Sequence, residues 1–254
     1  MLKWRNIFWL LILSVTACGP QKSQKPLKKH VSGDPSQINA SLCAAYLKKK
    51  NIKAALQKCK KSLKQNPANA QAHKWLAVLR QRLGQDTLAG KHFQRAVELA
   101  PQDSGAHNNY GTYLCRHKRY QQAEQHFLKA VANPLYRARH VAYVNAGICI
   151  QGAGDSRKAE QYYRAALRIA PSFGPALLRM AYLSYGQQRC VSALGFIRRW
   201  SRNNNWTAKS LWIAMQAEKN CGNANKYSSY GLLLKARFPM SAEASRYKGG
   251  RHRF

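Results

Sequence analysis

The chain has 254 residues, 45% of them hydrophobic, and sets 43 Lys and Arg against 9 Asp and Glu, for a formal charge of +34 at pH 7. So few carboxylates argue against catalysis by a carboxylate pair, and so positive a field attracts anions such as lipid headgroups, acidic proteins or nucleic acid. No aromatic-and-basic recognition motif accompanies the charge, so nucleic acid is not the expected partner.

The N-terminus reads as a targeting segment. Lys3 and Arg5 precede a short apolar core, Ile7 to Leu13, which is too short to span a bilayer. It ends in Val15-Thr16-Ala17-Cys18. This resembles a bacterial lipobox, with residues 1–17 as the signal peptide and Cys18 as the lipidated residue. Gly19, not Asp, follows. By resemblance to Gram-negative lipoprotein sorting, that implies the periplasmic face of the outer membrane. Residues 18–35 hold Pro20, Pro26 and Pro35 with little apolar content, and read as a tether.

From residue 36 the sequence repeats with a period of 34. Pro67 and Pro101 are 34 apart, as are Phe93 and Phe127, Ala96 and Ala130, and Ala159 and Ala193. The unit starting at Ala70 carries Ala77, Ala89, Phe93, Ala96 and Pro101. The unit from Ser104 carries Gly111, Ala123, Phe127, Ala130 and, one place early, Pro134. The unit from His140 carries Gly147, Ala159, Tyr163, Ala166 and Pro171. The small residues let two helices approach, the aromatic wedges between them, and the proline ends the second. This is the tetratricopeptide (TPR) signature. Looser units flank it, as terminal repeats of a stack do: one from Ser36 with Cys43, Ala55 and Cys59, one from Gly174 with Ala181, Ala193 and Ile197, and one over about 208–239. Two extra residues fall near 133–137. The expected fold is all-α: a TPR solenoid over 36–239, about six helix-turn-helix repeats in a right-handed superhelix, with a basic tail over 240–254.

Beyond Cys18, six cysteines remain for an oxidising compartment. Cys115 and Cys149 take positions 12 and 10 of neighbouring first helices, which suits a staple between repeats. Cys43 and Cys59 share one repeat, and Cys190 and Cys221 form a third candidate pair. Other connectivities stay open, free thiols among them. Gly152-x-Gly154 lacks a preceding strand and reads as a turn. There is no Cys-x2-Cys, and the eight histidines show no metal spacing. No catalytic, metal or cofactor site is expected.

TPR solenoids bind with the concave face, lined by first-helix positions 2, 5, 9, 12 and 13. Here these include Leu47, Lys74, Val78, Arg82, Asn108, Arg116, Leu178 and Tyr182, a groove expected to be apolar at its ends and basic between. It calls for a segment with apolar anchors and negative charge.

Some stretches are more specific than a generic TPR. They are Asn108-Asn-Tyr-Gly-Thr-Tyr-Leu-Cys115, Ala132-Asn-Pro-Leu-Tyr136, Asn145-Ala-Gly-Ile-Cys149, Ala159-Glu-Gln-Tyr-Tyr-Arg-Ala-Ala-Leu167 and Pro171-Ser-Phe-Gly-Pro-Ala-Leu-Leu178. In order and spacing, over about 36–245, the chain resembles the type IV pilus biogenesis/stability lipoproteins of the PilW/PilF family. The resemblance implies a six-TPR superhelix on the inner face of the outer membrane that supports pilus assembly or stability. In some members it also implies a pilotin role toward the secretin. It further implies a cysteine pair between neighbouring repeats, matching Cys115 and Cys149. The chain departs from the family in its high positive charge and its repeat-1 cysteines, and Arg246–Phe254 lies outside the resemblance. The second reading is a periplasmic TPR adaptor in another envelope or peptidoglycan assembly system.

Overall fold

A computed structural model describes residues 33–250, with side chains to Tyr247. Asp34–Phe254 is a compact unit in its own right. Cys18, its signal peptide and most of the tether lie outside the described residues. Six hairpins follow one another. They are α1 (Pro35–Lys48) with α2 (Ile52–Gln65), α3 (Ala70–Arg82) with α4 (Asp86–Leu99), and α5 (Ser104–Arg116) with α6 (Tyr120–Ala132). Then come α7 (Arg139–Gly152) with α8 (Ser156–Ile169), α9 (Gly174–Gly186) with α10 (Cys190–Ser201), and α11 (Ala208–Asn220) with α12 (Ala224–Arg237). The extra residues lie where the spacing put them: the connection 133–138 is longer than its counterpart 100–103.

Each hairpin turns at one left-handed residue. These are Lys50, Gly84, Lys118, Gly154, Gln188 and Gly222, with φ between 58° and 97°. A helix that must reverse within three residues needs this conformation just past its end. Side-chain caps then restart the chain. Asn51, Asp155 and Asn223 accept from the amides of Ala54, Lys158 and Lys226. Asn69, Asp103 and Thr207 do the same for α3, α5 and α11.

Within a hairpin the core is a small residue under an aromatic wedge. Phe93, Phe127 and Tyr163 are fully buried, as are Ala89, Ala123 and Ala159 beside them. Gly147 must lack a side chain because a Cβ there would lie 2.7 Å from Cδ1 of Tyr163. Between hairpins the second helix packs on the next first helix, and first helices touch along α1, α3, α5 and α7 and along α9 and α11.

The solenoid does not end at 239. Helix α13 (Ala242–Gly250) packs on α11 and α12, with Ala244 and Tyr247 buried. The region read as a basic tail is therefore folded over most of its length. Its apolar content is slight, but Tyr247 seats over Gly231, whose missing Cβ leaves the notch it fills. A lone aromatic and a distant glycine make no periodic pattern.

Three disulfides staple the hairpins. Cys43 joins Cys59 between α1 and α2, Cys115 joins Cys149 between α5 and α7, and Cys190 joins Cys221 at the ends of α10 and α11. The Cα separations are 5.2, 5.5 and 5.6 Å. Closing the loop from 115 to 149 removes unfolded-state entropy worth about 4 kcal/mol on the chain-entropy model. The Cys115→Ser/Cys149→Ser variant should lose roughly 2–4 kcal/mol in urea unfolding. Unchanged unfolding would mean that this bond contributes nothing.

Two histidine pairs recur one repeat apart. Nδ1 of His73 lies 2.9 Å from Nδ1 of His92, and Nδ1 of His107 lies 2.8 Å from Nδ1 of His126. Nε2 of His73 and of His107 faces the carbonyls of Pro67 and Pro101. A carbonyl only accepts, so each first-helix histidine donates through Nε2 and accepts through Nδ1, and its partner donates. Burial, followed by the neighbouring His73 and then Arg80, pushes His92 down to about 4. Burial, His107 and Lys129 do the same to His126. Burial also lowers His107.

A histidine with a depressed folded pKa binds fewer protons folded than unfolded. Its penalty is absent above the unfolded value and grows as pH falls. Melting temperature should therefore drop as pH goes from about 6.5 to about 4. His92→Gln/His126→Gln should flatten that decline; an equally steep decline in the variant would show that other groups cause it.

Candidate functional site

Three of the acids are committed to local ties. Asp103 caps α5 and pairs with Lys74 at 2.6 Å. Glu124 holds Lys158 at 2.7 Å and accepts from the Tyr162 hydroxyl. Glu160 bridges Arg164 and Arg189. No group of three His, Cys, Asp or Glu among the described residues could hold a metal ion.

The inner face divides into two halves. In the first three hairpins, position 5 of the first helix is filled. Ala40 is fully buried, Lys74 is 6% exposed and Asn108 is 8% exposed. Asn108 accepts from Nδ2 of Asn145, which closes the space between α5 and α7. Burial alone would raise the Asp103 carboxyl, but the Lys74 hydrogen bond and charge outweigh it, with help from the Ala106 and Gly105 amides. Its pKa therefore sits below the ordinary value.

The expected basic central groove is corrected accordingly. Lys74 is an ion-paired inter-repeat tie, and only Arg82 and Arg116 of that set are exposed. Leu47 is not a groove anchor either: at 3% exposure it packs with Cys43, Cys59, Leu76 and Leu79. Val78 packs between the first two cores.

In the last three hairpins positions 5, 9 and 12 of the first helices line an open cavity of about 860 Å³, with Val144 of α7 forming part of its floor at 4% exposure. Helix α7 supplies Val144 and Ile148, α9 supplies Leu178, Tyr182 and Tyr185, and α11 supplies Trp212 and Ile213. The rim carries Arg179, Lys209 and Arg246 against one acid, Glu243. Arg246 and Glu243 come from α13, so the terminal helix completes the site. Burial raises the Tyr182 phenol and Glu243 adds to it, while Arg179 opposes; the group stays a neutral donor. The cavity thus offers flat aromatic surface, the hydroxyls of Tyr182, Tyr185 and Thr207, and a positive rim. That suits an apolar peptide segment with some negative charge.

Of the eight groove residues expected from the register, Leu178 and Tyr182 fall together in this cavity. Val144, Ile148 and Trp212 were legible by the same count, at positions 5 and 9 of units starting at 140 and 208. Glu243 and Arg246 had no such signal.

Sequence models of the tetratricopeptide repeat match residues 44–104, 92–125 and 141–173. The type IV pilus assembly protein PilF of Pseudomonas aeruginosa is 28% identical over 243 residues, 95% of this chain and 96% of that one. A solved structure of P. aeruginosa PilF superposes with a TM-score of 0.78 at 27% identity, covering 85% of this chain and 97% of that one. The structure of PilW, a widely conserved type IV pilus biogenesis factor, gives 0.78 at 28% identity, covering 85% and 99%. The chain is a tetratricopeptide-repeat protein homologous to PilF and PilW. This chain has its open aromatic cavity at the C-terminal hairpins, whereas Lys74 and Asn108 of the N-terminal ones are tied to the next repeat.

Proposed function

We propose that the chain is a non-enzymatic scaffold of type IV pilus assembly. In this reading Cys18 anchors it at the periplasmic face of the outer membrane. The α7–α9–α11 groove holds a segment of a secretin, or of another pilus-machine protein, while subunits associate. The observation that carries the reading is the aromatic groove, set on hairpins cross-linked by disulfides so that its walls are preorganised. The end-to-end likeness to PilF supports the choice of machine.

A clean chromosomal deletion tests it. Loss of surface pili together with loss of heat-resistant secretin oligomers supports the pilotin form. Loss of pili with normal oligomers supports a pilus-stability role instead. Normal pili and normal oligomers reject both and favour the adaptor of another envelope assembly system. Mass spectrometry of the mature N-terminus tests the anchor: an unmodified Cys18 removes it.

A further inference from the structure

Between Asp34 and Asp86 the chain has no acidic residue. In that interval, Lys48, Lys49, Lys50, Lys53, Lys58, Lys60, Lys61 and Lys64 crowd the end of α1, the first turn and α2. All but Lys58, which is half-buried, are exposed. At helical spacing Lys53, Lys60, Lys61 and Lys64 share one face of α2. The opposite face is buried through Ala55, Cys59 and Ser62. Helices α4 and α8 differ: α4 pairs Arg95 with Glu98, and α8 pairs Arg164 with Glu160.

Like charges three and four apart repel, which weakens α2 in water. The Cys43–Cys59 bond, on its buried side, holds it against α1 regardless. An anionic surface laid on the lysine face would turn that repulsion into attraction.

We propose that the lysine face of α2 and the adjoining turn docks on an anionic phospholipid surface and so orients the solenoid at the membrane. The chemistry favours lipid over the other anions. The patch is all lysine, compact point charges without the planar fork that arginine brings to specific phosphate or carboxylate pairing. The lysine face of α2 carries no aromatic on which a base could stack. It also has no apolar anchor for a protein partner. Each lysine near an anionic leaflet adds attraction that falls off within a Debye length. The proposal sits beside the anchored-scaffold reading. If Cys18 is lipidated, its tether reaches at most about 60 Å, and the first hairpin is the part of the solenoid nearest the bilayer along the chain.

The test uses residues 34–254, so that a failed anchor and a failed patch give separate results. Vesicles of phosphatidylcholine with one-quarter phosphatidylglycerol should co-sediment the protein at low salt, and pure phosphatidylcholine should not. Lys53→Gln/Lys60→Gln/Lys61→Gln/Lys64→Gln should lower binding at least tenfold with helicity unchanged. Arg157→Gln/Arg168→Gln/Arg202→Gln/Lys226→Gln removes the same charge from exposed sites elsewhere and should change binding less than twofold. Absence of vesicle binding would overturn the proposal. So would equal losses in the two variants, which would mean a diffuse field. Tighter binding of double-stranded DNA than of vesicles, lost in the α2 variant, would overturn it in favour of nucleic acid.

Discussion

Truncating Tyr182 and Trp212 together to alanine is expected to weaken capture of the pilus partner at least ~100-fold, about 2.7 kcal/mol. The two side chains face the same cavity from α9 and α11. Large aromatics at the desolvated centre of an interface carry most of its energy, typically ~2 kcal/mol or more each on truncation. Neither side chain is among the fully buried wedges that hold a hairpin together. The variant should therefore keep its helicity and all three disulfides. The control is Arg82→Ala/Arg116→Ala, exposed cations of the closed half, which should change affinity by less than about threefold. Affinity is read by titration against detergent-solubilised secretin or against the pilus-machine protein identified by crosslinking. Equal affinity in the aromatic variant would remove the groove from the account.

The second large effect concerns folding. Gly147→Val should destabilise the chain by about 3 kcal/mol, at the upper end of overpacking costs. The new side chain would collide with Tyr163, which is fully buried and donates to Gln151 at 2.8 Å, so the ring has nowhere to move. Tyr163→Ala alone should cost about 3–5 kcal/mol by opening a cavity. The double variant should cost clearly less than the sum, because valine occupies part of the vacated space. Urea unfolding of the four proteins gives the cycle. Strict additivity would mean that the pair does not act as wedge and seat.

The hairpins were legible because stacking imposes the same demand every 34 residues. Small residues at Ala89, Ala123 and Ala159, aromatics at Phe93, Phe127 and Tyr163, and turn glycines at Gly84 and Gly154 report it directly. The insertion before α7 was legible as a slip in that register. The cysteine pairs could be proposed because the register places Cys115 and Cys149 on neighbouring first helices.

The groove was legible only in part, for a physical reason. The register says which side chains face inward, not whether the next first helix fills the space in front of them. Lys74 faces inward and meets Asp103, which caps the following repeat. Leu178 faces inward and meets open cavity. The repeat pattern treats both alike. Helix α13 escaped because Tyr247 and Gly231 make a single contact outside any repeat. The histidine pairs escaped because periodicity explains His92 and His126 as equivalent positions without revealing their partners His73 and His107.

The most direct test of the central claim is site-specific photocrosslinking in piliated cells. A benzoyl-phenylalanine at position 182 should give an adduct containing a type IV pilus machinery protein. The same group at position 226, exposed on α12, should give none. Adducts to that protein from position 226 alone, with position 182 silent, would contradict the groove as the site of capture.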